Sequence, residues 1–470
     1  MINSYAENGI IEQCWVKQVK NLNSSNCLSL AAKETASKFY HSFEPWQKLT
    51  YNSTGTIYYT QDRLLKVDTI SRKDKQYVSK TKYTPTELLV MGYGSQKLSG
   101  VTKSDFEDYL FETCRYSPVF MLNHFLAKKD KIKTGSEGNN FTGSLNINNA
   151  TVTIHINTAD SLVTQITILT YDDLYGDLTS SYIYSQYEGL NGLNFPKKIE
   201  INKINGKIQD EVVIASAQFI NTMPDLLPKP DDFEWDEEEE EKPEITIEKY
   251  NSNIYFLYLK QPDTKSLLVE FNDFLLVAEA PLSIANGKLI IESVKKLIPN
   301  KPIKYFTYGH FHNWYLGGLR PFVHEGCTIL TRPESKEYVE FIANAKHSQH
   351  PDDLQKDPKN LQLEVINDSL TIKDDSFEMK MYVIGEKSDH TNDFMIYYFP
   401  AEKLVFQDDL VWIKNEGDLT KASTRQAGLY NAINDLGLNV ETIIQAWPVM
   451  GYGVKNIIPF TELKQSINIK

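Results

Sequence analysis

Residues 231–241, DDFEWDEEEEE, constrain the fold of this chain more than any other stretch. Nine of these residues are acidic and none is basic, and Pro228, Pro230 and Pro243 flank them. Such a run repels itself and has little apolar surface to bury, so it reads as an exposed linker. A chain of 470 residues is also too long for one ordinary core. The run therefore predicts a first domain over 1–230, an acidic linker over 231–243 and a second domain over 244–470. The formal net charge is −13, and most of that excess belongs to the linker. No basic stripe points to nucleic acid or to an anionic membrane. No apolar run is long enough for a membrane span. The opening MINSYAENGIIEQCWVKQ lacks a basic region and an apolar stretch, so it does not read as a secretory signal. The expectation is a cytoplasmic protein, or a periplasmic or secreted one if a signal has been removed.

Cys14, Cys27, Cys114 and Cys327 are widely and irregularly spaced, with no CxxC. In a chain of this length that is neither a disulfide framework nor a cysteine zinc site. Buried thiols are expected; a Cys14–Cys27 bridge is the alternative.

The hydrophobic rhythm differs on the two sides of the linker. Before it, LSLAAKETASKFYHSFEPW has helical spacing at Leu28, Ala31, Ala32 and Phe39. A second helical stretch, SDFEDYLFETCRYSPVFMLNHFL, is interrupted at Pro118. The rest consists of short alternating runs such as TGTIYYT, RLLKVDTI, ATVTIHIN, LVTQITILTY and EVVIASAQF. Period-two alternation between turn residues predicts a curved, meandering antiparallel sheet with helices. YSQYEGLNGLNFPKKIEI is similar to a strand–loop–strand of lipoprotein-carrier-like half-barrels. That resemblance implies a concave sheet able to hold an apolar ligand. Packing against the second domain, or dimerisation through this domain, is the plainer use. After the linker, strands such as NIYFLYL, SLLVEF and DFLLVAEA alternate with an amphipathic helix, LSIANGKLIIESVKKLIP, which predicts an α/β layer. The chain as a whole is expected to be a two-domain α+β protein.

Chemistry concentrates in YGHFHNWYLGGLR, residues 308–320. His310 and His312 follow the apolar strand PIKYFTYG, and residues i and i+2 of extended backbone point the same way. Two imidazoles on one side of a strand end can share a cation, although an isolated H-x-H is more often structural. Two further groups fit. His390 precedes the strand FMIYYFP and Asp409 follows the strand KLVFQ. If those strands form a hairpin, His390 and Asp409 lie at one edge. Other histidines carry less. His324 reads as a surface or packing residue. His347 and His350 read as solvent-facing, or as a lip over the site. His155 reads as a sheet-face residue, and His41 and His124 have no ligand neighbours. Cys327 reads as a core thiol. No nucleophile elbow, phosphate loop or dinucleotide glycine pattern is present.

Four segments, SLLVEFNDFLLVAEAPL, PNKPIKYFTYGHFHNWYLGGLRPFVHEGCTIL, DHTNDFMIYYFPAEKLVFQDDL and VETIIQAWPVMGYG, together resemble the metallo-β-lactamase fold over about residues 245–465. The resemblance implies an αββα sandwich with its metal site at one sheet edge. It implies His310, His312 and His390 as ligands of a first metal, with Asp409 in the position of the carboxylate that bridges two metals. Asp408 stands where a glycine is usual. The ligands private to a second metal are replaced by Trp314, Tyr315 and Met450. Indole cannot ligate and a thioether is soft, so one metal is expected and not two.

Three neutral imidazoles leave the full charge on Zn2+, and a bound water then falls to a pKa of ~7. The resemblance thus implies a hydrolase using one Zn2+ on a small-molecule ester, thioester, amide or phosphodiester. Asp409 would ligate the metal or act as base, and Tyr315 would plug the vacant site or donate to an oxyanion. The alternatives are an inactive binding or scaffold protein that kept the fold, and an Fe2+ oxygenase using His310, His390 and Asp409.

Overall fold

The computed structural model describes residues 2–19, 22, 26–39, 43–190, 192–236 and 243–469. The chain is a mixed α/β protein with large sheets and few helices, and it divides into two compact units. One unit comprises residues 1–39, 48–171 and 178–239; the other comprises 40–47, 172–177 and 240–470.

In the first unit a twelve-stranded sheet is built from two meanders, one over residues 27–91 and one over 133–220. Strand Cys27–Phe39 joins them by pairing antiparallel with Ile208–Ile220 on one side and Lys48–Tyr59 on the other. The sequence predicts a helix here, and the structure corrects that reading. Leu28, Leu30, Ala32 and Ala36 are buried at period two, and alanine fits either period, so two long partner strands decide the outcome. Glu34 occupies another inward position and is matched by Arg115, whose Nη1 donates to Glu34 Oε1 at 2.6 Å and to Asp210 Oδ2 at 2.9 Å.

The second helical stretch forms as expected. Thr102 caps helix Lys103–Glu112, with its hydroxyl accepting from Asp105 N while its own backbone N–H donates to Asp105. Pro118 separates this helix from Val119–Ala127. Tyr59 and Tyr184 donate from the sheet to the carbonyls of Thr113 and Cys114, which ties the helical segment to one sheet face. Beside it lies a cavity of about 550 Å³ lined by Leu88, Val101, Tyr109, Phe111 and Tyr182, with Asp108 and Glu112 among its polar groups. The opening residues form helix Ile2–Val19, which the sequence reading left unassigned.

The second unit stacks two sheets. The first contains seven strands between Ile245 and Val365. Its last four (Leu275–Ala278, Ile303–Thr307, Thr328–Thr331 and Gln362–Val365) run parallel, so crossovers return the chain through helices Ile284–Leu297, Leu319–Glu325 and Lys336–Asn344. The second contains six strands between Ser369 and Pro459. Phe256, Phe306, Met381, Tyr397 and Phe406 share the core between the sheets, and Phe256 stacks on Phe406 with ring centres 5.8 Å apart. Ile290, Phe322 and Ile342 bring the crossover helices into the same core. Leu429 and Leu463, from helices Thr424–Asp435 and Phe460–Ile467, pack with Val405 and Ile443 in a separate core on the other side of the second sheet. The layering is helix, sheet, sheet, helix.

All four cysteines are free and buried, which removes the Cys14–Cys27 bridge. Among the described residues no helix is long and apolar enough to cross a membrane.

Candidate metal centre

The site is assembled from three chain turns at strand ends. Strand Ile303–Thr307 delivers Tyr308, Gly309 and His310. Gly309 is required sterically, because a Cβ there would lie 2.1 Å from Asp408 Oδ2. His312 precedes the short helix Asn313–Leu316 and its carbonyl accepts from Tyr315 and Leu316. Gly317 then lets this helix meet the neighbouring loop, since a Cβ would lie 2.5 Å from the Leu282 carbonyl.

The second turn is Gly385–Ser388, after which the Ser388 hydroxyl accepts from the backbone of His390 and Thr391. The third follows strand Leu404–Gln407, which pairs antiparallel with Met395–Phe399. This hairpin brings its outer ends together, and His390 Nε2 lies 3.4 Å from Asp409 Oδ2.

Arg332, wholly buried, fastens the first two turns. It donates to the carbonyls of Tyr308 (2.7 Å), Gly309 (3.2 Å) and Asp393 (2.8 Å), and pairs with Asp393 Oδ2 at 3.0 Å. Its guanidinium also lies 4.0 Å over the Tyr308 ring.

Within this frame His310, His312 and His390 converge: one ring nitrogen from each lies within 4.8 Å of the others. His310 Nε2 is 2.8 Å from His312 Nδ1, and the His310 ring centre is 4.7 Å from that of His390. The other nitrogen of His310, Nδ1, lies 2.6 Å from Asp408 Oδ2. Solvent hardly reaches the group: relative exposure is 0% for His310, 3% for His390, 5% for Asp409 and 8% for His312.

A divalent cation fits this donor set. Three borderline-soft imidazole nitrogens meet beside Asp409, whose buried Oδ1 has no hydrogen-bond partner among the described residues. Asp408 and Glu279 add carboxyls that are fully buried. Burial pushes both above the usual carboxylate range, and for Asp408 the neighbouring Glu279 and Asp409 add to it. Arg425, partly exposed, approaches Asp409 at 3.8 Å.

Tyr315 is buried with its ring centre 4.5 Å from that of His310. Burial, then Asp409 and Asp408, hold its phenol well above the usual range, so it stays a neutral donor. Trp314 packs on Trp447 at 5.6 Å, and Trp447 in turn meets Trp412 and Tyr452 at 5.5 and 5.0 Å. Met450 is 67% exposed.

His347 is a correction. The sequence places it in a solvent-facing loop, but it is fully buried, its backbone N–H donating to Gln355 and its ring packed against Gly176. His350 is exposed and His155 half-buried. His324 lies at 3.2 Å from Asp357, and His41 falls outside the described residues.

Sequence reasoning missed Glu279, Tyr397 and Arg332. The available signal was slight: Glu279 is the single charge in LLVAEAPL, a segment otherwise suited to a buried strand.

No family model matches the sequence, and no curated protein sequence does. Solved structures match about half of the chain. A metallo-β-lactamase from Pontibacter korlensis is 12% identical over 48% of this chain and 97% of its own, with a TM-score of 0.35. The DIM-1 metallo-β-lactamase is 15% identical over 48% of this chain and 96% of its own, with a TM-score of 0.34. A flavo di-iron protein from Thermotoga maritima is 12% identical over 48% of this chain and 61% of its own, with a TM-score of 0.35. These neighbours are metallo-β-lactamase-fold proteins. They lend no support to a carrier-like half-barrel before the linker.

Proposed function

We propose that His310, His312 and His390 hold one divalent metal ion beside Asp409, and that the protein is a single-metal hydrolase of a small ester, thioester, amide or phosphodiester. The observation that carries this reading is the convergence of three imidazoles from two distant segments to within 4.8 Å. Three histidines favour zinc; ferrous iron is the alternative ion. Bound zinc would supply Lewis acidity and a water with a pKa of ~7. In this reading Asp409 would stand beside the ion as general base, with Oδ1, which has no hydrogen-bond partner among the described residues, as the atom to accept a proton. Tyr315 donates its phenolic hydrogen to developing negative charge, consistent with a pKa held high by burial.

One observation favours a second reading. The near-complete burial of all four groups suits a closed structural ion, or a scaffold that uses the cluster only for packing.

Metal content and turnover together separate them. Protein purified without added zinc is expected to carry about one ion per chain. His310→Ala with His390→Ala is expected to lose it. Absence of metal from the wild type supports the scaffold reading. Stoichiometric metal with no turnover of any of the four bond types supports the structural-ion reading.

A further inference from the structure

The connection between strands Cys27–Phe39 and Lys48–Tyr59 belongs to the second compact unit, and residues 43–47 of it bear on two of the segments that carry the histidines. At one end the Phe43 carbonyl accepts from Asn392 N at 2.7 Å, and Glu44 Oε1 accepts from Asn392 Nδ2 at 3.1 Å. Asn392 stands two residues past His390. At the other end Trp46 Nε1 donates to Glu337 Oε2 at 2.7 Å, and the indole packs edge-on against Tyr338 and Phe341 with ring centres 4.8 and 5.0 Å away. Tyr338 meets Phe311 at 5.8 Å, and Phe311 meets His312 at 4.7 Å. One short segment thus ties the turn of His390 to the rings beside His312, and the histidines it brackets are almost closed to solvent. The hold is light. Phe43 is 43% exposed, and Glu44 and Gln47 are exposed as well. Trp46 carries a left-handed φ of +63°, a conformation that persists only where its surroundings impose it. Exposed hydrogen bonds, few buried apolar contacts and a strained residue place such a segment at the low-stability end of a fold, where local opening precedes global unfolding.

We propose that Phe43, Glu44 and Trp46 form a releasable clasp that controls access to the histidine cluster. Seated, the clasp holds the His390 turn against helix Lys336–Asn344 and shuts the cluster. Released, it frees that turn and opens the cluster to solvent and ligand. The three residues touch no reacting atom; they set how often the site is open. A ligand that binds only the open form has its apparent affinity reduced by the open fraction, and a reagent from solvent is slowed by the same factor. The clasp rests on the convergence of the histidines, and on the proposed function only for what then enters.

The test has two arms, both on the full chain treated with diethyl pyrocarbonate, with peptide mass spectrometry reading the rate of acylation at His310, His312 and His390. In the first, Glu44→Ala with Trp46→Ala is expected to raise that rate about 10-fold, while the buried Cys327 thiol stays as slow to alkylate as in the wild type. A histidine rate that is unchanged, or that rises only in step with Cys327, overturns the proposal. The second arm locks the clasp instead of removing it. Glu44→Cys with Asn392→Cys puts a pair of thiols where the two side chains now meet at 3.1 Å. Once mass confirms the bridge, the oxidised form is expected to react about 10-fold more slowly than the same protein after reduction. Equal rates overturn the proposal. This arm compares two forms of one folded chain, so it decides even where the alanine pair fails to fold. Neither arm needs a metal or turnover: a wild type that binds no metal overturns the proposed function and leaves both rates decisive here.

Discussion

Among the described residues Arg332 is the largest side chain that lies wholly inside the protein, and it is paid for by four acceptors. Removing one partner of a buried ion pair leaves an uncompensated charge, which costs about 3–5 kcal/mol. Arg332→Met is expected to lower stability by that amount, through Asp393, and to release the carbonyls of Tyr308 and Gly309 beside His310. The urea midpoint at constant m-value checks it. At this scale the site was partly legible. His310 and His312 were found from their spacing after a strand, and His390 and Asp409 from a hairpin whose ends must meet. The groups behind them were not. No pattern announces that Glu279 takes a left-handed backbone, or that an arginine twenty-two residues after His310 turns inward to grip its loop. Those facts belong to packing between distant segments.

Elements show the same division. The hairpin Met395–Phe399 with Leu404–Gln407 and the crossover helix Ile284–Leu297 were both readable from the sequence pattern. Strand Cys27–Phe39 was not, because LSLAAKETASKF satisfies helical and alternating patterns alike and Glu34 disguises an inward position. Its two partner strands settle it, and Arg115 lets the acid face inward by reaching Glu34, Asp210 and Glu112 at 2.6–3.1 Å. Arg115→Leu is expected to destabilise the first unit by about 3–5 kcal/mol, since three carboxylates then lose their buried cation. Arg115→Leu combined with Glu34→Leu should recover part of the loss, and a double-mutant cycle on thermal unfolding measures it.

For the whole molecule, the linker reading gave contiguous domains, whereas the second compact unit also includes residues 40–47 and 172–177. Within it Trp46 donates to Glu337 at 2.7 Å and packs on Tyr338 and Phe341, and Tyr175 and Tyr338 share a hydroxyl contact of 2.8 Å. Short inserts of that kind have no sequence signature. Global stability should also respond to acid through His124. Burial, then Lys128, lowers its pKa from 6.5 to about 4. Between those values the unfolded chain takes up a proton that the folded chain refuses, so stability is complete above pH 6.5 and is lost as pH falls toward 4. The urea midpoint of the wild type is expected to fall more steeply over that window than that of His124→Phe. Finally, three of the chain's six tryptophans, Trp314, Trp412 and Trp447, share one aromatic cluster, and Trp412 Nε1 donates to the Asp409 carbonyl at 3.1 Å. If the proposed site holds an ion, emission from those indoles is expected to change when a quenching ion such as Co2+ is added, and that change would serve as a label-free optical gauge of occupancy.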